Sequence, residues 1–448
     1  MKRTLTLILA LCLMLTAFTG IADEKETIEL RFYDINSTAE RTAFFEKIFE
    51  EYYQETGYHF TYSGEPWANS TNSVMTMLAG GNGPDLFVSQ PSLPVFVNNG
   101  WVLPIDEWIE AHGDEYVTLV TDYYWANAKE AFGHNYWFPD ATNSRGIYYR
   151  KDWVKELGIE IPTGKDWNWD AFWDLAAKLT DPEKNRYGFA FRGGKGCEAW
   201  CENYLQAYTG TYIYDPETLK FMTDEYRVGM KAYTDSYVNG LAPADSLNWG
   251  WAEQIDGFCS GLIGLFFNDS DAFPQIMSKM EEGTWGVLPI PYNNDGTGIP
   301  TNINATYSYA INAATKYPEA CFGLIEMLNR PENNAAYCIM MGEIPVRVDV
   351  VDTPYFSEEG PLGEFVKNVN NLDALLGGQL INVNQVEWAG YTYDFAGELQ
   401  MYLLGETTFD EFFEGYNEFH STAIDNYFAA NPDAGTDVYR LRDIVEAK

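Results

Sequence analysis

The sequence predicts an α/β protein with two lobes, and three observations support this prediction. Strand-like and helix-like segments alternate over residues 28–88, and the alternation resumes after residue 180. Such alternation is typical of parallel sheets whose strands are joined by right-handed helical crossovers. The chain of 448 residues is longer than one hydrophobic core usually serves, and its sequence shows no repeat or low-complexity linker. We therefore expect two lobes built from interleaved segments of the chain.

The first residues indicate export. A basic start at Lys2 precedes an apolar run from Leu5 to Phe18, which is too short to span a bilayer, and a small residue follows at Ala22. This pattern is typical of a secretory signal peptide that is cleaved after Ala22. The alternative is an uncleaved anchor helix, for which the apolar run is short. We expect residues 23–448 to be soluble, without insertion into a membrane, and to work outside the cytoplasm.

The amino-terminal elements follow from short-range periodicity. Apolar residues alternate from Ile28 to Phe32 and predict a strand that ends at Asp34. Ser37 and Glu40 have the spacing of a capping box, and apolar residues then recur with a helical period until Gly57. The next predicted elements are a strand over 58–62, a helix near 73–78 and a strand over 85–88.

The second half of the chain continues the pattern. Strands are predicted over 187–191, 262–267, 284–291 and 306–310. Helices are predicted up to residue 260, over 318–330 and over 331–341, the last of them started by Pro331. In parallel sheets, ligands bind beyond the carboxyl ends of the strands. In the first lobe these ends carry residues 34–36, 65–67 and 89–90, which are mostly polar and include one tryptophan.

Composition excludes some classes of partner. The chain has 66 acidic and 28 basic residues and a formal net charge of −38, which repels phosphate backbones and anionic lipid headgroups. We therefore expect no nucleic-acid partner. A hydrophobic fraction of 46% and an aromatic fraction of 16% indicate a globular chain.

Five cysteines follow the predicted cleavage site, and an odd number argues against a framework of disulfides. They are Cys197, Cys201, Cys259, Cys321 and Cys338. A local bridge between Cys197 and Cys201 stays open, although the spacing favours free buried thiols.

Several segments, in this order, resemble the carbohydrate-binding branch of the extracytoplasmic solute-binding proteins of ABC importers (bacterial extracellular solute-binding protein family 1). The segments that carry the resemblance are "GNGPDLFVSQPSLPVFVNNGWVLPIDEWI", "YWFPDATNSRGIYYRKDWVKELGIEIPTGKDWNWDAFWDLAAKLTD", "FCSGLIGLFFNDSD", "YPEACFGLIEMLNRPENNAAY", "GEIPVR" and "AGELQMYLLGETTFDEFF". The resemblance covers nearly the whole chain after the signal peptide.

The resemblance implies a two-lobed, periplasmic-binding-protein-like fold. Each lobe would hold a mainly parallel sheet flanked by helices, and three hinge crossings would join the lobes. Lobe one would comprise residues 23–141 and 295–345, and lobe two residues 142–294 and 346–448. The protein would be a monomer that binds a carbohydrate between the lobes, with an oligosaccharide as the expected ligand, and delivers it to the permease subunits of an ABC transporter.

One feature departs from the family pattern. In bacteria with a single membrane such proteins usually carry a lipid-anchored cysteine just after the cleavage site, and Asp23 stands there instead. Cys12 is preceded by the bulky Leu11, which is a poor lipidation signal. The sequence therefore leaves open how the protein stays near its transporter.

The sequence gives little support to a catalytic function. The four histidines are scattered, and there is no H-E-x-x-H pair, G-x-S-x-G elbow, P-loop or dinucleotide fingerprint. We expect no metal and no cofactor. The alternative function is a secreted hydrolase of glycans, since such an enzyme needs only two carboxylates at a suitable distance.

A sugar site combines flat aromatic faces with amides or carboxylates that bind hydroxyl groups. The candidates at strand ends and crossings are Asn36, Trp67, Gln90, Asn143, Trp200, Trp249, Asn268, Asp269, Asp271, Trp388 and Tyr391. For each aromatic residue the alternative is packing in a core, and for each polar residue it is a cap or a turn. The family resemblance favours Trp388. In "LNWGWAEQ" we expect Trp249 to face the ligand and Trp251 to pack inward.

Overall fold

The computed structural model describes residues 27–89, 94–210, 213–294, 301–302, 304–305, 307–372, 375–376, 386–434 and 445–446. The predicted signal peptide and its cleavage after Ala22 lie outside the described residues, as does Gln90.

The structure alternates strands and helices along its length. The strands are β1 Ile28–Asp34, β2 Tyr58–Gly64, β3 Leu86–Ser89, β4 Phe138–Pro139, β5 Asn143–Arg150, β6 Tyr187–Phe189, β7 Tyr214–Asp215, β8 Lys220–Phe221, β9 Ile263–Asp269, β10 Trp285–Leu288, β11 Thr301–Asn302, β12 Asn304–Ala305, β13 Ser308–Ile311 and β14 Leu375–Leu376. The α-helices are α1 Ala39–Thr56, α2 Trp67–Ala79, α3 Pro94–Asn98, α4 Asp106–His112, α5 Ala126–Phe132, α6 Lys151–Leu157, α7 Trp169–Leu179, α8 Cys197–Thr209, α9 Thr223–Val238, α10 Trp251–Cys259, α11 Phe273–Lys279, α12 Pro318–Leu328, α13 Pro331–Met341, α14 Val348–Val351, α15 Gly363–Val369, α16 Val386–Ala389, α17 Phe395–Leu403 and α18 Phe409–Ala430. A π-helix, Leu119–Trp125, runs directly into α5.

The first sheet has the strand order β2-β1-β3-β13-β4. Its strands β2, β1 and β3 are parallel, and β13 runs antiparallel to both of its neighbours. Helix α1 packs on this sheet because its apolar residues recur on one face, and the ring of Phe45 lies 4.8 Å from that of Phe32 on β1. We refer to the elements around this sheet as lobe one.

The second sheet has the order β10-β5-β9-β6, and β12 pairs with β5. Here β5 is antiparallel to β10, β9 and β12, and only β6 and β9 are parallel. We refer to the elements around this sheet as lobe two. The two-lobed α/β fold is confirmed, but the sheets are mixed: a parallel arrangement holds for three strands of lobe one and one strand pair of lobe two. The predicted limits of the lobes stay a prediction.

Two stretches of chain run between strands of the two sheets: 140–142, between β4 and β5, and the chain between β10 and β13. A third stretch follows α13 and leads from lobe one to α15, which packs on β5. The first and third are joined directly, since Thr142 and Ile344 exchange two backbone hydrogen bonds of 2.8 and 2.7 Å. The third stretch is also tied to lobe one, because Val117 N donates to Val346 O at 2.9 Å. These bonds place two crossings side by side at the junction of the lobes.

The structure corrects the predicted start of α1. The N-cap is Thr38, whose hydroxyl accepts from Arg41 N at 3.2 Å, so the predicted capping box of Ser37 and Glu40 is wrong. Ser37 Oγ instead lies 2.9 Å from Tyr62 Oη, and this hydrogen-bonded contact with β2 places Ser37 before the helix. The second helix, α2, begins at Trp67 and is longer than the sequence predicts.

The cysteines Cys197, Cys201, Cys259, Cys321 and Cys338 are free, so the expectation of free thiols is confirmed. Among the described helices, none is both long and apolar enough to cross a membrane.

Candidate functional site

A buried ion pair lies at the carboxyl end of β1. Asp34 is fully buried and accepts two hydrogen bonds from Arg41 on α1, at 2.8 Å from Nε and 2.9 Å from Nη2. Tyr62 on β2 donates to the same carboxylate at 3.0 Å. A bidentate pair of this kind fixes the orientation of both side chains. Asp34 and Arg41 therefore hold the end of the sheet in place.

The network continues to the first crossing. Arg41 Nη1 donates to the hydroxyl of Tyr337 on α13, and Tyr337 donates to Asp140 Oδ2 at 2.6 Å. The other oxygen of Asp140 accepts from Ala141 N at 2.7 Å. Burial raises the pKa of Asp140 to about 6, although the charge of Arg41 and the hydrogen bonds oppose the shift. The chain Asp34–Arg41–Tyr337–Asp140 thus links β1, α1 and α13 to the junction of the lobes.

A second ion pair faces this junction from lobe two. Arg145 on β5 and Asp269 at the end of β9 are paired in register, and Arg145 Nε lies 2.7 Å from Asp269 Oδ1. The ring of Trp200 on α8 lies beside two guanidinium groups, 5.4 Å from Arg145 Cζ and 4.7 Å from Arg192 Cζ. Burial raises the pKa of Asp269, and the two arginines oppose that shift.

Three buried polar atoms near this ion pair have no hydrogen-bond partner among the described residues. They are Asn268 Nδ2, Glu343 Oε2 and Asp271 Oδ1, the last of which belongs to a carboxyl group that also interacts with Trp251. Burial raises the pKa of Glu343 well above its usual value, and the nearby carboxyl groups of Asp140 and Asp271 raise it further. Because Glu343 follows α13 and Asp271 follows β9, carboxyl groups from the two lobes approach each other at the junction.

Trp67 forms part of the opposite wall. It begins α2 in lobe one, and 37% of its surface is exposed. Its ring faces Gly196 of lobe two: a Cβ atom built on Gly196 would lie 3.7 Å from Trp67 Cζ3 and 2.6 Å from Arg192 Nη2. Arg192 is held there by hydrogen bonds from Nε and Nη2 to Lys195 O, at 3.0 and 2.9 Å. An exposed aromatic face of lobe one therefore stands against a loop of lobe two.

This loop, residues 193–196, is supported by the stretch 246–249. Gly193 N donates to Ser246 O at 3.1 Å, and Gly194 N donates to Trp249 O at 2.9 Å. Both glycines are needed for this approach; a Cβ atom on Gly194, for example, would lie 2.4 Å from Asn248 O. The sequence "GGKG" is thus a packing loop that shapes the wall of the junction.

The structure places Trp249 in the hydrophobic core of lobe two. The ring is 8% exposed, and its indole nitrogen donates to Asp245 Oδ2 at 3.3 Å. A Cβ atom on Gly257 of α10 would lie 2.8 Å from Trp249 Cη2, which shows how closely the ring covers the helix. Trp251, expected to pack inward, is half-buried at the start of α10. A ligand contact for Trp249 stays a prediction.

The other candidates are spread over the molecule. Asn36 is half-buried, and its backbone N–H donates to Asp34 Oδ1 at 2.9 Å, while Asn143 is buried on β5. Trp388 packs edge-on against Tyr427, with ring centres 5.2 Å apart, and Tyr391 is 39% exposed beside α18. The structure thus brings Asn143, Trp200, Asn268, Asp269 and Asp271 together at the junction, with Trp67 at its edge. It shows no contact of Trp388 or Tyr391 with this group among the described residues.

A cavity of 320 Å³ opens beside the 193–196 loop. It lies between the amino ends of α8 and α17, and its polar lining comprises Lys195, Glu198, Tyr393, Asp394 and Gln400. Burial raises the pKa of Glu198, and the charge of Asp394 adds to the shift. The cavity therefore extends the junction with hydroxyl, amide and carboxyl groups.

Sequence reasoning missed three side chains of the junction: Arg145, Arg192 and Glu343. Only Arg145 carried a signal, because it lies two residues after Asn143 on a strand that was expected to leave a crossing. Buried arginines are uncommon and depend on a partner that is distant in sequence. In the part of the chain that the structure describes, no group of three or more acidic, histidine or cysteine side chains is arranged to hold a metal ion.

The sequence profile of the family described as Bacterial extracellular solute-binding protein matches residues 36–335. Among curated proteins, the chain is 23% identical over 243 residues to "Putative ABC transporter periplasmic-binding protein YcjN" of Escherichia coli. That match spans 53% of this chain and 53% of the relative, so it covers about half the length of each. The chain is also 24% identical over 310 residues to "Multiple sugar-binding protein" of Streptococcus mutans, covering 66% of this chain and 69% of that protein.

A solved structure with a similar fold is the GacH receptor of Streptomyces glaucescens, described without ligand and in complex with acarbose. The superposition has a TM-score of 0.72 with 18% sequence identity, and it covers 92% of this chain and 100% of that one. At this level of identity the likeness establishes the two-lobed fold.

Proposed function

This chain belongs to the bacterial extracellular solute-binding protein family, and we propose that it captures a carbohydrate between its lobes and delivers it to the permease of an ABC transporter. The observation that carries the proposal is the placement of Trp67, an exposed aromatic face of lobe one that stands against the 193–196 loop of lobe two. An aromatic face of this kind stacks on the apolar face of a pyranose ring.

The polar lining of the junction suits hydroxyl groups. Buried acceptors and donors without a partner among the described residues, such as Glu343 Oε2 and Asn268 Nδ2, cost free energy until a ligand or water satisfies them. A sugar hydroxyl both donates and accepts, so one ligand can satisfy both kinds of atom. The 320 Å³ cavity beside Gly196 gives room for a further sugar unit, which favours an oligosaccharide.

The relatives support the same chemistry. The Streptococcus mutans protein is named for binding multiple sugars, and the GacH receptor is described in complex with acarbose. We infer that the present chain acts as a monomeric, non-catalytic binding protein without a cofactor. We also infer that it is exported by a signal peptide cleaved after Ala22.

The test is a panel of mono- and oligosaccharides, screened by thermal unfolding and followed by calorimetry. A ligand that binds only the folded state raises the melting temperature with concentration, by an amount that follows from its dissociation constant. We expect at least one carbohydrate to do so at a stoichiometry of one. The secreted hydrolase is the competing function, and steady release of reducing ends that stops when one carboxylate is replaced would favour it over our proposal.

A further inference from the structure

A second cavity lies in lobe one, away from the junction described above. It has a volume of 660 Å³, opens to solvent, and is lined by residues between 109 and 135, including part of the π-helix Leu119–Trp125, and by Val348. None of the side chains assigned above to the candidate site lines it. Its volume falls in the range of about 300–1,000 Å³ that is typical of ligand pockets.

Two polar side chains that line this cavity each carry one buried atom without a hydrogen-bond partner in the described part of the chain. Tyr116 and Asn135 are each 4% exposed, and neither Tyr116 Oη nor Asn135 Oδ1 has a hydrogen-bond partner among the described residues. Buried polar groups are usually satisfied by protein, water or ligand, so each such atom needs an explanation. Tyr116 can donate its hydroxyl proton, and Asn135 Oδ1 can accept one.

The remaining lining is mixed in character. Thr118 and Thr121 place hydroxyl-bearing side chains along the cavity, and the ring of Trp125, 5.1 Å from that of Tyr116, adds an aromatic wall. The lining contains two acidic residues, Glu110 and Asp114, and one basic residue, Lys129, so it does not select for ligands of one sign of charge. Aromatic, hydroxyl and amide groups together match a small molecule with many hydroxyl groups.

We propose that this cavity is a second ligand site, which binds a small polyhydroxylated molecule of the size of a sugar alcohol or a monosaccharide. The π-helix fits this role, because π-helical turns occur frequently at functional sites. The site differs from the junction in its walls, which come from lobe one and from Val348 alone.

The position of Val348 couples the site to the hinge. Val348 directly follows the third crossing, where Val346 O accepts from Val117 N at 2.9 Å and Arg347 Nη1 donates to Glu115 at 2.6 Å. An occupant therefore contacts both lobe one and the end of a crossing. Binding in the cavity therefore changes the affinity of the junction for its ligand. By thermodynamic linkage, ligand binding at the junction changes the affinity of the cavity for its occupant by the same factor.

The test uses saturation-transfer NMR with four probes: glycerol, erythritol, mannitol and glucose. Thr118→Trp fills the cavity, and Thr76→Trp on the exposed side of α2 is the matched control. Asn135→Leu removes the hydrogen-bond acceptor Oδ1 with little change in side-chain volume. It replaces Thr118→Trp in the test if that variant folds poorly. Trp67→Ala impairs the junction and leaves the cavity intact, so it separates the two sites.

We expect a saturable signal from at least one probe in the wild type, in Thr76→Trp and in Trp67→Ala. In Thr118→Trp the affinity should fall at least ten-fold, and Asn135→Leu should weaken it in the same direction. A signal that persists in Thr118→Trp, a signal lost in Trp67→Ala, or no saturable signal from any probe in the wild type would overturn the proposal.

Discussion

Trp67 is the residue whose replacement separates binding from folding. Because the ring is 37% exposed and faces Gly196, removing it should take away a stacking surface without opening a cavity in the core. We expect Trp67→Ala to weaken binding of the carbohydrate found in the panel by roughly 1–3 kcal/mol, by analogy with aromatic stacking on bases. The melting temperature of the free protein should change little. Calorimetry and thermal unfolding measure the two effects, and unchanged affinity would remove Trp67 from the site.

Trp249 serves as the matched buried case. Its ring is 8% exposed and closely covers Gly257, so Trp249→Ala leaves a cavity. We expect a loss of about 3–5 kcal/mol in the free energy of unfolding, measured by urea denaturation. If this variant unfolds like the wild type and instead loses ligand affinity alone, the ring faces the ligand as the sequence first indicated.

His420 should make the protein sensitive to acid. It is fully buried in α18, and burial lowers its pKa from 6.5 to about 3. Neither ring nitrogen has a hydrogen-bond partner among the described residues, and the nearest carboxylate oxygen, Glu202 Oε1, lies 3.5 Å from Nε2. Below pH 6.5 the unfolded chain binds a proton at this residue and the folded chain does not, so stability falls as the pH falls. The loss approaches about 1.4 kcal/mol per pH unit until the pH reaches the folded pKa.

His420→Phe tests this prediction, since it keeps a flat ring and removes the titrating group. The difference in unfolding free energy between wild type and variant should grow in favour of the variant from pH 7 to pH 5, because carboxyl groups elsewhere affect both proteins alike. Urea denaturation at several pH values measures it, and a difference that does not vary with pH would contradict the role of His420.

At the scale of elements, the sequence predicts best what local interactions decide. The strand Ile28–Asp34 and the helix Pro331–Met341 have the predicted limits, because alternation and an initial proline act within a few residues. The start of α1 was misplaced because Ser37 bonds to Tyr62 on another strand. The sequence does not predict that β5 runs antiparallel to its neighbours, because strand direction depends on contacts that are distant in sequence. The burial of Arg145 beside Asp269 depends on such distant contacts as well.

The 193–196 loop gives a prediction at the same scale. Gly194→Ala would place a Cβ atom 2.4 Å from Asn248 O, so the loop must shift, and with it the position of Arg192 and Gly196. We expect a loss of about 1–3 kcal/mol in stability and weaker ligand binding. Gly80→Ala is the control, because its Cβ atom would meet no atom closer than 3.3 Å and it lies at the opposite end of α2 from Trp67. Equal effects of the two substitutions would show that the loop does not shape the site.

At the scale of the whole molecule, the two lobes are joined by three stretches of chain, and two of them are bonded to each other through Thr142 and Ile344. We infer that such a junction bends as a hinge while each sheet stays intact. The short approach of Trp67 to Gly196 is what a closed arrangement requires. A ligand that contacts both walls binds this arrangement better than an open one and so shifts the population toward it.

We therefore expect small-angle scattering to show a smaller radius of gyration when the protein is saturated with the carbohydrate identified by the panel. Trp67→Ala at the same ligand concentration is the control, because it should remain largely unliganded and keep the larger radius. The variant at a concentration that restores saturation should then close as the wild type does, since the hinge itself is unchanged. A wild-type scattering profile that stays the same at demonstrated saturation would mean that the lobes do not close. The ligand would then bind a rigid junction, in which the buried carboxyl groups of Asp271 and Glu343 already have their final positions.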